Sequence, residues 1–551
     1  MVKNVKIIFL GGVGEIGRNM TALECGDDII VIDAGLGFAD AIEMPGIDYV
    51  AQDLTYLLKN KNKVRAYVVT HGHEDHIGAM PYVLGQVPAT IYGSRITLAL
   101  IDNKLREHKG IKVKAVSVRP RSVVTIGSFN IEFIHVNHSI PGCFALSITT
   151  PVGIIFHSGD FKIDFTPVDG NPMDLTRIGE IGKKGVALML CESTNVERKG
   201  FTLSETSVGE KMEELFVKNM EKRLFVATFA SNVHRVQQLL DLATKYKRKV
   251  AFAGRSMINV SDIAIKLGEM RPVEKNQIID IVQVPNHAEK DVLVVLTGSQ
   301  GEPGSALQRM SIGDFNKIHI GPKDTVILSS SPIPGNEKAV NNVVNRLIHR
   351  GAHVVYESLA EVHVSGHACE EEIKILHALV KPTYLIPVHG EHKHLKKHAA
   401  LAVRLGMHKR NIAIAELGEV WELSPNSLKK LGSVPSNEVL IDGSGQCTIE
   451  SPVLRDRQVM QDSGICVIGI GYNKQSGAVI DELRIATKGL LYQNEHDFYI
   501  PELRTLLLGI IAKVGFGDEN ETRNELRRAT QSFFSEKLKR RPAVISMLNA
   551  L

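Results

Sequence analysis

The chain has 551 residues, 44% of them hydrophobic and 23% charged, which at about 100–200 residues per domain predicts roughly three or four units with large buried cores. Its formal net charge of +4 is too mild to imply a nucleic-acid partner by itself, so any such surface must be a local patch. No run approaches the roughly 20 apolar residues of a membrane span, and the six cysteines, Cys25, Cys143, Cys191, Cys369, Cys447 and Cys466, lack a C-x-x-C pair, so neither a disulfide framework nor a cysteine zinc site is indicated.

The apolar start breaks into glycines too early for a signal peptide, and a reduced, cytoplasmic protein is the expectation. Up to about residue 190 the chain reads as short strands separated by polar or Gly-rich turns, at 5–10, 19–25, 29–32, 66–70, 131–136 and 153–157, with a helix over 76–84. After about 195 the pattern changes. Helical spacing over 204–220 and 233–246 alternates with strands at 223–228, 249–253 and 292–297, which argues for a parallel α/β unit placed within the chain. Strands at 352–358 and 384–387 restore the earlier style. Ser, Gly, Asn and charge over 425–457 read as a connector. The last hundred residues read as a small αβ unit, with strands 465–471 and 483–487 and helices 502–514 and 521–538.

The strongest chemical signal is His71-Gly72-His73-Glu74-Asp75-His76, just after a strand. Three imidazoles and a carboxylate on such a turn can converge on zinc or manganese. The plain alternatives are a solvated loop or an adventitious metal surface. Against these stand Asp33, His138, Asp160 and His389, each at or just past a predicted strand end, where functional loops gather.

This ordered set resembles the metallo-β-lactamase superfamily. The resemblance implies that His71, His73 and His138 bind one metal and Asp75, His76 and His389 the other. Asp160 would bridge them, and Asp33 would orient the histidine loop. Two zinc ions, with manganese or magnesium as substitutes, would clamp an in-line attack by hydroxide on phosphorus.

That superfamily hosts many chemistries, so fold alone does not choose among them. The inserted unit resembles the β-CASP insertion of nucleic-acid nucleases, bracketed by Glu192 in its first motif, His367 in its second and His389 in its third. A histidine at the second motif goes with RNA substrates in that group. The phrases at 229–235 (FASNVHR), 254–257 (GRSM), 297–303 (TGSQGEP) and 329–337 (SSSPIPGNE) resemble the ribonuclease J family, and the likeness runs the whole chain. It implies an αββα sandwich in two parts, 1–195 and 353–425, an inserted β-CASP unit at 196–352, a linker at 426–457 and a C-terminal α+β unit at 458–551. It also implies 5′-to-3′ exonuclease and endonuclease activity in RNA processing and decay, with a preference for 5′-monophosphate RNA.

Asp75, His367 and Glu192 are the catalytic candidates, with Glu192 orienting His367 as a donor to the scissile phosphate or the leaving oxygen. Ser231, Asn232 and His234 lie at a strand-to-helix turn suited to anions, although Ser231 or Asn232 could simply cap the helix. His363, Val364, Ser365, Gly366 and His367 form a turn that can cradle a phosphate. Resemblance alone adds a calcium site at Asp48 and Asp442, and a homodimer or homotetramer or a paralogue partner.

Three rival readings are open to test. Gly12-Val-Gly14-Glu-Ile-Gly17 imitates a dinucleotide fingerprint but is followed by a strand where a helix is required. A small-molecule metallohydrolase would have no use for the insert or for His367. An idle scaffold subunit of an RNA-decay assembly would be expected to have eroded ligands, and these are intact. The basic run Arg523, Arg527, Arg528, Lys537, Lys539, Arg540 and Arg541 reads as RNA contact, as part of an assembly surface, or as a plain solvated face.

Overall fold

Val5, Ile7 and Phe9 alternate along Val5–Gly11 and share one core with Leu23 and Cys25 of Met20–Cys25 and with Ile30 and Ile32 of Asp28–Ile32. A period of two places each set on one face of a sheet. The computed structural model describes every residue except 1–2, 40–42, 109, 272–273, 275, 334, 357–359 and 443–450. It divides the chain into two units, Met1–Gly37 with Ala51–Glu438, and Phe38–Val50 with Val439–Leu551.

The first unit contains two facing sheets. One has eight strands, in the order Ser427–Ser433, Glu419–Ser424, Val5–Gly11, Met20–Cys25, Asp28–Ile32, Val64–Val68, Thr90–Gly93 and Ala115–Ser117. The other has six: Tyr384–Val388, Val186–Glu192, Gly153–His157, Phe144–Thr150, Phe129–His135 and Val123–Ile126. Phe129, Ile131, Phe133, Leu146 and Leu188 of the second sheet join the same core as Val5 and Phe9, so the sheets pack face to face as a sandwich. Helices lie on each sheet, Arg95–Leu105 against Thr90–Gly93 and His392–Arg404 against Tyr384–Val388. Together these layers are the expected αββα architecture.

Between Val186–Glu192 and Tyr384–Val388 lies a third sheet, ordered Ile278–Ile279, Lys249–Ala253, Val292–Leu296, Arg223–Ala227, Asp324–Leu328 and His353–Val355. Every pairing in it is parallel, as the alternation of strands and helices predicts. Its strands are almost wholly apolar because helices cover the sheet. The expected strand at 352–358 is His353–Val355; residues 357–358 lie outside the described residues, as does Pro334 of the 329–337 phrase.

The second unit contains a three-stranded sheet in which Ile465–Tyr472 pairs antiparallel with Arg484–Lys488 and parallel with Ala543–Ala550. Leu503, Leu507, Leu526 and Phe534 of helices Gln493–Val514 and Glu519–Leu538 complete its core, an α+β arrangement. Several of the basic residues are paired: Arg523 with Glu519 at 3.0 Å and Arg528 with Glu525 at 2.8 Å within one helix, and Lys537 with Glu502 of the neighbouring helix at 2.7 Å. That pattern belongs to a solvated helix face. Among the described residues, no helix is long and apolar enough to cross a membrane.

Four local expectations are corrected. The helix expected over 76–84 is two short helices, Glu74–Ile77 and Met80–Gln86. Ala79 N–H leaves the helix for Ala34 O at 3.0 Å, and Pro81 has no N–H to continue the ladder. The expected connector contains Ser427–Ser433, which pairs antiparallel with Glu419–Ser424, and Ser451–Ser463 is a helix; residues 443–450, with Cys447, lie outside the described residues. Helix Gln493–Val514 starts well before 502 and carries Pro501 within it. Ala543–Ala550 is an additional strand. The rival glycine fingerprint forms a turn, with Gly12, Gly14 and Gly17 at φ 79°, 76° and 94°, and strand Met20–Cys25 follows it with no helix between.

Candidate metal centre and active site

His71, His73, Asp75 and His76 follow strand Val64–Val68, and His138 follows Phe129–His135. Asp160 follows Gly153–His157, and His389 follows Tyr384–Val388. The sandwich brings these strand ends together. His71, His73 and His138 form one cluster and Asp75, His76, Asp160 and His389 another, with the ligand-type atoms of each within 4.8 Å of one another. His138, Asp160 and His367 form a third group by the same measure.

Hydrogen bonds on the outer side of the rings set which nitrogen faces inward. Asp33 Oδ2 lies 2.8 Å from His76 Nδ1 and accepts its proton. Thr70 donates its hydroxyl to the same carboxylate at 2.7 Å, so toward His71 Nδ1, 3.1 Å away, it can only accept. Thr194 donates to His389 O at 3.0 Å and accepts from His389 Nδ1 at 2.7 Å. His138 Nδ1 donates to Gly366 O at 2.6 Å. Four rings therefore keep a proton on the outer nitrogen or an acceptor contact there and turn the other nitrogen inward, as metal-binding imidazoles do. Asp33 and His389 hold left-handed backbones, φ 60° and 51°, a conformation of the kind found where a site over-determines its geometry.

One protein donor reaches an inner atom, Asn19 Nδ2 at 3.1 Å from His76 Nε2; the other inner atoms face one another. His73 Nδ1 lies 3.1 Å from His71 Nε2 and 3.0 Å from His138 Nε2. Asp160 Oδ2 stands 3.2 Å from His76 Nε2, 3.5 Å from His389 Nε2 and 3.7 Å from His71 Nε2, yet it is buried without a hydrogen-bond partner. Converging lone pairs around an orphaned carboxylate oxygen need a cation, and the nitrogen and oxygen donors suit a divalent metal. Burial pulls His71, His73 and His138 down, His73 to about 4, and keeps those rings neutral. Burial also opposes charge on His76 and His389, but the carboxylates, Asp160 foremost, outweigh it and raise both. Metal binding would displace those protons.

His367 Nδ1 donates to Glu192 Oε2 at 2.9 Å, and the other oxygen of Glu192 accepts Phe161 N–H at 2.9 Å. Burial disfavours the imidazolium, but Glu192 outweighs it and raises His367 to about 9. In the same turn, Ser365 Oγ accepts from Asn195 Nδ2 at 2.7 Å and from His367 N–H at 3.2 Å. A Cβ at Gly366 would fall 2.6 Å from His138 Cε1, so only glycine fits against that ring. Val364 is buried, and His363 Nδ1 is buried without a partner.

Asn232 is buried, and its side-chain oxygen caps helix Val233–Lys245 through Arg235 N–H at 3.1 Å. Ser231 and His234 are half-buried. His234 lines a shallow recess with His138, Lys162, Asp164, Asp169 and Glu205, which places it beside the first histidine cluster. Asp442 stands 3.8 Å from the Arg457 guanidinium, and neither Asp48 nor Asp442 joins a metal-type group among the described residues.

The sequence reading missed Thr70, Thr194, Asn195 and Lys162. Lys162, 3% exposed, pairs with Asp164 at 3.2 Å in the recess. Its position two residues past Asp160, in a segment otherwise ending a core strand, was the available signal. The threonines left none, because their partners are set by the fold.

Comparison with known families matches residues 13–178 to "Metallo-beta-lactamase superfamily" and 221–347 to "Ribonuclease J, beta-CASP domain". Residues 351–413 match "Zn-dependent metallo-hydrolase RNA specificity domain" and 452–550 "Ribonuclease J C-terminal domain". The chain is similar to Ribonuclease J of Helicobacter pylori strain J99, 38% identical over 98% of this chain and 79% of the relative. It is 37% identical to Ribonuclease J2 of Bacillus subtilis strain 168, over 99% and 98%, and 40% identical to Ribonuclease J of Thermus thermophilus, over 84% and 82%. A solved Enterococcus faecalis V583 protein of unknown function shares the fold, with a TM-score of 0.54 at 15% identity over 78% of this chain and 100% of its own.

Proposed function

The chain belongs to the ribonuclease J family of metal-dependent nucleases with a metallo-β-lactamase fold, and from that premise we propose that it degrades RNA from the 5′ end and also cuts internally, with two zinc ions bound by the histidine cluster and the histidine–aspartate cluster. The observation that carries the reading is the inward-facing set of seven ligand residues around the orphaned Asp160 oxygen, with His367 held beside it by Glu192. An idle scaffold would have no need of rings whose tautomers are fixed for ligation.

Two divalent cations, when bound, supply charge neutralisation at the scissile phosphate and lower the pKa of water. His71, His73 and His138 would hold one, and Asp75, His76 and His389 the other, with Asp160 shared. The chain's own groups do the rest. Asp33, Thr70 and Thr194 keep the rings in register. His367, protonated through Glu192, donates to a phosphate oxygen or to the leaving 3′-oxygen. Ser231, His234 and the 363–367 turn grip a 5′-monophosphate, beside the buried cation Lys162. Asn232 shapes that turn through its cap.

We further propose a homo-oligomer formed through the C-terminal unit, where the edge strand Ala543–Ala550 leaves Ile545 48% and Met547 51% exposed; edge strands with apolar side chains call for cover. The decisive assay follows linear 5′-monophosphate RNA and a circular RNA of the same sequence, before and after chelation and with zinc restored. Cleavage of both that chelation abolishes and zinc restores supports the reading. Unaffected cleavage after verified metal removal overturns the metal assignment, and an intact circle overturns the internal activity.

A further inference from the structure

Arg235 is wholly buried, the largest side chain to be so among the described residues. It lies in the first turn of Val233–Lys245, and its guanidinium joins four segments. It pairs with both carboxylate oxygens of Glu205, Nη2 to Oε2 at 3.0 Å. Glu205 opens helix Glu205–Lys218. Nη1 donates to Ser329 O at 3.2 Å and to the Ser329 hydroxyl, just past strand Asp324–Leu328. The same nitrogen donates to Val362 O at 3.0 Å, the residue before His363. The Ser329 hydroxyl donates to that oxygen as well, at 2.6 Å.

A buried guanidinium is tolerated only when its donors are taken, and here each nitrogen has an acceptor. The cluster is more than the helix start requires, since Asn232 alone caps it. Nor does packing of the parallel sheet require a bond to Val362. What the arrangement does is tie the turn at 231–234, on the inserted sheet, to the turn at 363–367, on the return to the sandwich. His138 lines one recess with His234 and Lys162 and donates to Gly366 O of the 363–367 turn at 2.6 Å, so the two turns border one region.

We propose that Arg235 is a positioning residue that sets the spacing of these two turns and so determines recognition of the RNA 5′-phosphate. This rests on the 5′-end reading above. A phosphate gripped from two sides loses donors when one side moves by about an ångström. The rings of His71, His76 and His389 are oriented by Thr70, Asp33 and Thr194, none of which Arg235 touches; His138 is held by Gly366 O and His367 belongs to the same turn, so any loss of chemical rate is common to all RNAs and the ratio between 5′ ends isolates what Arg235 tunes. A lysine keeps the charge but cannot span the fork of acceptors.

The test is the ratio of decay rates for 5′-monophosphate and 5′-hydroxyl RNA, measured on Arg235→Lys, Ser329→Ala and the unaltered protein, with melting curves alongside. Arg235→Lys should lower the ratio about tenfold or more, and Ser329→Ala about threefold, as expected for lost hydrogen bonds to charged and neutral groups. Should Arg235→Lys melt below the assay temperature, Ser329→Ala decides by the same ratio. If both RNAs slow equally and the ratio is kept, Arg235 serves only the fold and the inference is wrong. A ratio near one in the unaltered protein overturns the 5′-end reading, and this inference with it.

Discussion

Glu192 Oε2 accepts a 2.9 Å hydrogen bond from His367 Nδ1, and the same nitrogen stands 3.8 Å from Asp160 Oδ2. Burial works against the imidazolium, yet Glu192 raises the ring to about 9, so His367 carries a proton at neutral pH. His367→Ala should lower the single-turnover rate about 10²- to 10⁴-fold, the usual span for a positioned acid. RNA affinity should change far less, because the interaction belongs to the transition state. Glu192→Gln removes the charge that raises His367, so the alkaline fall in rate should begin at lower pH. A loss of affinity with an unchanged chemical rate would make His367 a binding residue.

Asp75→Ala and His76→Ala should abolish RNA cleavage while the circular dichroism spectrum is kept. Both residues lie in the four-residue helix Glu74–Ile77 that follows strand Val64–Val68, and neither belongs to the apolar core of the sandwich. Metal content and turnover should be measured on the same samples. Near-normal turnover in a variant that has lost one metal equivalent would contradict the two-metal reading.

Asp33→Asn should weaken metal binding about 10- to 100-fold, the usual cost of disturbing a ligand's hydrogen-bond partner. Asp33 accepts from Thr70 N–H at 2.7 Å, from the Thr70 hydroxyl and from His76 Nδ1. An amide has one acceptor oxygen where the carboxylate has two, so at least one of these three bonds must be lost. The left-handed φ of 60° suits asparagine, so backbone strain does not confound the result. Competition with a chromogenic chelator reads the affinity without an activity assay.

The candidate metal ligands were legible in the sequence because each follows an apolar strand, and strand ends are where this fold gathers its polar loops. Their orientation was not. His138 depends on Gly366 O, 228 residues away, and His389 on Thr194, 195 residues away; such pairings have no local pattern. Strand Ser427–Ser433 escaped because its side chains from Lys429 onward are exposed, which removes the alternation that marks a half-buried strand. The start of Gln493–Val514 was hidden by Pro501, which reads as a helix boundary but here sits within the helix. In the 231–234 turn the residues alone read as a helix cap and the family resemblance adds phosphate binding; the structure commits the Asn232 oxygen to the cap.

Burial holds His377 at about 4, below the value near 6.5 of an unfolded histidine. Its folded-state pKa is depressed, so its contribution is fully present above about pH 6.5. Between there and about pH 4 the unfolded chain binds the extra proton, and stability falls with pH by about 1.4 kcal/mol per unit for each such group. His377→Gln keeps a donor for His398 Nε2, 3.0 Å from His377 Nε2, and removes the titration. The slope of unfolding free energy against pH over that window should drop by about one proton. An unchanged slope would mean that His377 is not held neutral by the fold.

The most direct test compares three RNAs of one sequence, with 5′-monophosphate, 5′-triphosphate and 5′-hydroxyl ends, degraded by the purified protein with and without chelator. The account predicts rapid 5′-to-3′ decay of the monophosphate RNA, slower decay of the other two, and loss of all three activities on chelation with recovery on adding zinc. Equal decay of all three ends, or decay that survives verified metal removal, would contradict it.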